Sequence, residues 1–421
     1  MRIAEGSRWE GALSPDRFRP VRFSVAAAAA VLVLSACQDP AGVGLGLIDE
    51  EQLDPNVRTV AVTGLAETPD TTIAIGIASS SNTALAQTRV LAGRVTEPVF
   101  GDARAVAYVD FLQSGALDDD AEAGDVVDAW LQLDRAYVYG DTTTTLPLEL
   151  RPIQGTWSAN RDYPADTLFT VGEVLSTTDV VVADTLRRFD LPASWIAANA
   201  ALLVGAEFDD QFEGFALDVP AEFAAAPGAV FGFNTFVSEG SGLRVVVDED
   251  TLLYPLSEVF SSIAVDPPAM APTETLAIRA GSGRAIRFDA DFAAVGPTPL
   301  AQARLRLPVD ASLAQEGPFV RPIAPLSRLV GIRTEDGVEN ATPLANVAYD
   351  GDDELLVLDP GPFTQIVQSF LLTPSEGFER YELRPLSTTA SLNIFPVRLM
   401  PGAPPETAPR FSLTVVGTAP Q

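Results

Sequence analysis

Apolar and polar residues alternate with period two in short runs along most of this chain, and that pattern leaves few folds open. Val57–Thr63 reads Val-Arg-Thr-Val-Ala-Val-Thr, and similar runs occupy 71–77, 105–111, 129–133, 136–139, 146–150, 180–182, 215–219, 230–236 and 243–247. A second series covers 275–279, 285–290, 303–309, 329–333, 354–358, 379–386, 390–395 and 411–416. Successive side chains of a strand point to opposite faces, so such runs read as half-buried strands. Turn residues stand between them, at Gly101-Asp102, Gly140-Asp141, Pro227-Gly228 and Glu239-Gly240-Ser241-Gly242. Many short strands at regular turn spacing predict an all-β protein of sandwich or barrel type. Helical spacing is brief. It predicts short helical turns over 192–201 and 220–226 and one helix over 363–372.

The strands fall into two groups. Asp266-Pro-Pro-Ala-Met-Ala-Pro272 breaks the series, because its prolines suit neither a helix interior nor a central strand. The expected plan is two tandem β-sandwich, jelly-roll-like domains at 57–266 and 273–418, joined by a linker at 267–272. Faint internal likeness supports two copies of one module. Trp130-Leu-Gln-Leu-Asp-Arg matches Ala303-Arg-Leu-Arg-Leu-Pro, Arg151-Pro152-Ile153 matches Arg321-Pro322-Ile323, and Gly214-Phe215 matches Gly377-Phe378.

Ahead of the strands lies Val25–Cys37, an apolar run ending Leu34-Ser35-Ala36-Cys37, with Arg17, Arg19 and Arg22 before it. A basic flank, a short apolar segment and small residues before a cleavage point form a secretory signal. The segment is too short to span a bilayer as a mature helix. Cys37 is the sole cysteine, and Leu-Ser-Ala-Cys resembles a bacterial lipobox. Residues 1–36 then form the signal peptide, Cys37 becomes the acylated N-terminus, and 37–56 is a tether rich in glycine, proline and acid. Each buried acyl CH₂ contributes about 0.8 kcal/mol, and two or more chains hold a protein stably at a membrane it does not cross. The expected location is the outer membrane, lipid-anchored, with its periplasmic or surface face left open.

Charge narrows the partners. The chain has no lysine and no histidine, and its net charge is −30. The first 36 residues carry five arginines and three acids, so the mature part stands at −32. Such a field repels phosphate backbones and argues against nucleic acid as a partner. Without histidine there is no Ser-His-Asp or Cys-His machinery, and without lysine no Schiff base. Acylation of Cys37 leaves no thiol. The remaining chemistry is carboxylate acid–base work and oxygen-ligand metal binding.

The lipobox is followed in order by Gly44-Leu45-Gly46-Leu47, Glu97-Pro98-Val99-Phe100-Gly101 and Tyr137-Val138-Tyr139-Gly140-Asp141. Gly214-Phe215-Ala216-Leu217 and Pro325-Leu326-Ser327-Arg328-Leu329 come after them. This order resembles a family of Bacteroidetes-type lipoproteins known as domain-of-unknown-function family 4270. The likeness covers nearly the whole mature chain. It departs in composition, since such proteins are rich in lysine, asparagine and tyrosine. The resemblance implies an envelope location and this architecture, and implies no catalytic residue. Ala129–Pro164, with its Trp157-Ser158 pair, also looks like the start of a jelly-roll carbohydrate-binding module.

Two acidic runs are candidate cation loops. In Asp118-Asp-Asp-Ala-Glu122-Ala-Gly124-Asp125 the side chains of Asp118, Asp120, Glu122 and Asp125 could supply oxygens to a structural calcium, though the EF-hand spacing is absent. Asp350-Gly351-Asp352-Asp353-Glu354 is the second. Both read first as solvated loops, since charge runs usually are. Trp157 and Tyr163 sit among polar residues and are expected to be exposed, as a ligand-binding aromatic surface; Trp130 and Trp195 are expected in the core. Gly281-Ser282-Gly283-Arg284 lacks the lysine of a phosphate loop and reads as a hairpin turn. No carboxylate pair stands out among the 54 acids of the mature chain. The expected function is therefore a non-enzymatic binding or envelope-assembly component, with a glycan or an envelope protein as partner. A carboxylate-dependent glycan-processing enzyme or a carbohydrate-binding surface protein is the alternative.

Overall fold

The alternating runs at 129–133 and 136–139 are two parts of one strand, Val126–Asp141. Gly140 was expected to begin a turn, yet the strand passes through it, at a φ of 113°. A β-carbon there would lie 2.6 Å from the carbonyl oxygen of Gly228 on the neighbouring strand. Glycine is needed for that close approach and does not end the strand. Val126–Asp141 pairs along one edge with Gly228–Asn234 and Gly242–Val247, and along the other with Leu186–Asp190 and Phe319–Val320.

These pairings come from a computed structural model, which describes residues 57–69, 79–80 and 89–416 apart from 119, 159–160, 162, 224–226, 236–239, 267–274, 282, 359, 374–376, 387–389 and 400–407. Cys37, the tether, the run at 71–77 and the linker at 267–272 lie outside the described residues. The protein is all-β in class, with two large antiparallel arrays and three α-helices among the described residues.

The first array is a branching fourteen-stranded sheet. It branches at Ala103–Phe111, which pairs with Arg89–Val95, Phe215–Asp218 and Leu256–Val265. Its core gathers Phe111, Phe189, Phe208, Phe215, Phe231 and Phe233. Ala193–Leu203, expected as a short turn, is a three-turn helix that buries Ile196, Ala200 and Leu203 against this core. Its alanines favour helix, and Pro192 just ahead of it costs no helical hydrogen bond. On the other face of the sheet, Val106, Tyr108, Ala216 and Phe260 are covered by Ile153, Trp157 and Phe169 from the loop beyond Leu146–Pro152.

The second array closes on itself. Its order is Val57–Pro69, Arg284–Ala290, Arg380–Pro385, Leu326–Glu335, Val338–Asp350, Leu355–Leu358, Leu300–Pro308 and Arg410–Val415, which returns to Val57–Pro69. Inward positions carry Phe288, Leu305, Leu329, Tyr381, Leu383 and Phe411. Full closure leaves no long sheet edge to attract other chains. The short strand Leu355–Leu358 meets only Arg306–Pro308 on its partner. Helix Pro360–Leu372 then occupies the wall beside Leu300–Leu305, where the amides of Ala303 and Leu300 donate to Thr364 Oγ1 (3.0 Å) and Gln368 Oε1 (2.5 Å). Its Phe363, Val367, Phe370 and Leu371 are buried in the barrel core.

The sequence places Val57–Pro69 at the head of the first module, but it is a stave of the barrel. Alternation identifies a strand and is silent on its partner. Gln315–Glu316 and Phe319–Val320, from the second stretch, likewise add to the first sheet. An open branching sheet and a closed barrel also differ in plan, so the paired motifs do not mark two copies of one topology. Gly281–Arg284 is not a hairpin turn: Thr275–Arg279 pairs with Ile394–Arg398, whereas Arg284–Ala290 enters the barrel. Among the described residues no helix is long and apolar enough to cross a membrane.

Candidate functional site

Three of the sequence motifs meet at one buried place. Glu97 follows Arg89–Val95, Tyr139 lies on Val126–Asp141, and Arg321 follows Phe319–Val320. Glu97 is 1% exposed and Arg321 3%. The Tyr139 hydroxyl donates to Glu97 Oε2 at 2.6 Å, and Arg321 Nη2 donates to Glu97 Oε1 at 3.2 Å. The Val99 amide donates to the same Oε1 at 3.2 Å, and the Glu97 amide donates to Asp102 Oδ1 at 2.8 Å. Arg321 also reaches the Leu313 carbonyl (3.2 Å) and Glu316 Oε2 (3.3 Å), and its guanidinium lies 4.4 Å from the Phe319 ring centroid.

A carboxylate, a cation and a phenol are thus withdrawn from water together. A buried charge is tolerable only when paired and hydrogen-bonded on its remaining sites, and the Glu97 carboxylate is. Burial pushes the Tyr139 hydroxyl far above the ordinary tyrosine range, with the Glu97 carboxylate adding to the rise. Arg279, 1% exposed on Thr275–Arg279, donates from Nη2 to the Asp102 carbonyl at 3.1 Å and lies 5.5 Å from the Tyr139 ring. Around these polar groups pack Leu91, Phe100 and Val230 of the sheet with Ala277, Leu392 and Ile394 from the barrel side. The Leu392 amide donates to the Tyr137 hydroxyl at 3.1 Å. The cluster joins the two arrays, which belong to one compact unit.

The other sequence candidates are dispersed. Among Asp118, Asp120, Glu122 and Asp125, the Asp125 carboxylate accepts from the Glu122 amide at 2.8 Å, and the Asp118 carbonyl accepts from the Ala121 amide at 3.2 Å. Asp350 Oδ1 accepts from the amides of Asp352 (3.1 Å) and Asp353 (3.4 Å). An open depression of about 480 Å³ lies beside that second loop, lined by Tyr349, Asp350, Asp352 and Val357. Among the described residues no three acidic, cysteine or histidine side chains are grouped so as to hold a metal ion.

Trp157 and Tyr163 do not form an exposed platform. Trp157 is 5% exposed, donates from Nε1 to the Glu213 carbonyl at 2.9 Å and packs 5.5 Å from Phe169. Tyr163 is half-buried against Phe169 and Phe260, and its hydroxyl accepts from the Ser158 amide. The polar neighbours in sequence belong to a loop whose aromatic residues turn inward to cover the sheet. Trp195 packs on the core as expected. Trp130 sits half-buried on the outward face instead, with the Arg188 guanidinium 3.9 Å over its ring.

Asp110 is a feature that the sequence did not single out. It stands near the end of Ala103–Phe111, beside Gly214, whose φ of 83° brings it against Val109; a β-carbon there would be 2.0 Å from the Val109 carbonyl oxygen. Burial pushes the Asp110 carboxyl from 3.8 up to about 8; the Phe111 amide pulls it back, and repulsion from Glu258, Glu213 and Asp209 adds to the rise. The folded state therefore holds a proton that the unfolded state releases. The resulting stability is full at pH below the unfolded value and is lost as pH rises from about 4 through about 8. Asp110→Asn is expected to remove this slope and raise the urea midpoint most above about pH 8, in denaturation series run on both proteins. A parallel fall in both proteins would show that Asp110 is not its source.

No family model matches the chain, and no curated protein matches it.

Proposed function

We propose that this protein is a lipid-anchored, extracytoplasmic envelope component that works as a rigid two-part body and performs no catalysis. The observation that carries the reading is the run ending Leu34-Ser35-Ala36-Cys37, with the sole cysteine at the cleavage point and the first barrel strand starting at Val57. The resemblance to the family-4270 lipoproteins agrees with this location. The lack of histidine and lysine supports the non-catalytic part, as does the fate of the motif residues. Glu97, Tyr139 and Arg321 hydrogen-bond to one another at a buried junction.

Metabolic labelling with palmitate tests the anchor. The wild-type chain is expected to take up label and to sediment with membranes. Cys37→Ser is expected to take up none and to lose membrane association. A labelled Cys37→Ser variant, or an unlabelled wild type, would refute the lipoprotein reading.

A further inference from the structure

The barrel's two ends differ. At one end Thr275–Arg279 and the Arg321 segment meet the sheet. At the other lie the start of Val57–Pro69, the close of Arg410–Val415, the last turn of helix Pro360–Leu372 and the tip of the hairpin Leu326–Glu335/Val338–Asp350. That hairpin tip projects past the barrel rim, since Val338–Asp350 meets Leu355–Leu358 only from Val347 onward.

Three large apolar side chains stand exposed at this distal end: Val338 (62%), Leu372 (65%) and Val416 (52%). They rise from three separate elements around one rim. The chain reaches the same rim, at Val57, from Cys37. The twenty residues from Cys37 to Asn56 can span at most about 70 Å. An acylated Cys37 would therefore tether the barrel to the bilayer by this end.

Resting on the lipoprotein reading, we infer that the distal rim of the barrel is a membrane-facing surface, with Val338, Leu372 and Val416 dipping into the headgroup region of a zwitterionic bilayer. The sheet body then points away from the membrane and presents its surface to the aqueous compartment. Charge selects the lipid. Asp336 stands two residues from Val338 at the hairpin tip, Glu335 and Glu339 beside it are paired with Arg333 (3.8 Å) and Arg380 (2.6 Å), and the mature chain carries a net −32. Anionic headgroups would repel this rim, the more so at low salt.

The acylated protein in phosphatidylcholine vesicles with brominated chains tests this by short-range quenching of tryptophan. Trp130, Trp157 and Trp195 all lie in the sheet body and report its distance. The added emission of Leu372→Trp and of Val338→Trp is expected to fall severalfold against unbrominated vesicles. The native emission, and that added by Val127→Trp on the sheet body, should stay unchanged. Phosphatidylglycerol in the vesicles should weaken the rim quenching, and salt should restore it. Unquenched rim positions on an acylated, vesicle-bound protein would overturn the inference while leaving the lipoprotein reading intact; the tether packed over the rim would give that result. Quenching at Val127→Trp equal to that at the rim would overturn it too. Acylation at Cys37 is read separately by mass spectrometry, and its absence would remove both.

Discussion

Glu97→Ala is expected to destabilise the protein by about 3–5 kcal/mol, the usual cost of removing one partner of a buried ion pair. The substitution strands Arg321, 3% exposed, opposite an empty site and leaves the Tyr139 hydroxyl without its acceptor. Glu316 is a poor replacement, since it is largely solvent-exposed and well screened. A loss of this size is a large part of a typical domain's net stability. It should appear as a lower urea midpoint. The melt should also split into two transitions, because Glu97 and Tyr139 are on the sheet and Arg321 is on the segment that joins it to the barrel.

The pair itself is a separate matter. Replacing both partners by apolar residues of similar size, as in Glu97→Leu with Arg321→Met, removes the need to desolvate either charge. That double variant is expected to recover much of what Glu97→Ala loses. A Glu97→Ala midpoint within the range of ordinary surface substitutions would refute the idea that this junction couples the two arrays.

The sequence made the class of the fold legible, and most of the strands, because a half-buried strand states its own period. Strands buried on both faces were harder to see. Leu256–Val265 reads Leu-Ser-Glu-Val-Phe-Ser-Ser-Ile-Ala-Val, and most of its residues are buried on one face or the other, so alternation fails. Arg89–Val95 is hidden for the same reason. Pairing was not legible. Val57–Pro69 carries no mark directing it to the far end of the chain, since partner choice is set by the assembled core.

The motifs at Glu97, Tyr139 and Arg321 were visible, but their meeting was not. Each is short and polar, and in sequence alone a buried ion pair looks the same as a surface one. Trp157 misled for a related reason. Hydrophilic neighbours mark a loop, yet a loop lying on a sheet turns its aromatic residues inward. Asp110 could have been suspected from an acid closing the nearly unbroken apolar run Ala105-Val-Ala-Tyr-Val-Asp-Phe111.

Closure of the barrel by its own first and last strands leads to the other large expected effect. Arg410–Val415 pairs with Val57–Ala61 on one side and with Leu300–Arg306 on the other. It places Phe411 and Leu413, both fully buried, in the barrel core. Phe411 stacks 5.7 Å from Phe363 and lies 5.0 Å from Phe292. Phe411→Ala alone is expected to cost about 3–5 kcal/mol, with the protein still folded. Ending the chain after Pro409 removes both side chains and both ladders, a loss on the scale of the roughly 5–15 kcal/mol that holds a domain together. The barrel should then fail to close, leaving Val57–Ala61 without a neighbour. Hydrogen exchange on the truncated protein should find the amides of 57–61 unprotected. Those of Val126–Asp141 should remain slow, since that strand's partners lie within the sheet. Slow exchange at 57–61 in the truncated chain would mean that the barrel holds its first stave without the last. Until Arg410–Val415 is made, then, the strand nearest the tether has nothing to pair with on one side, so the barrel can close only after synthesis has reached the final strand.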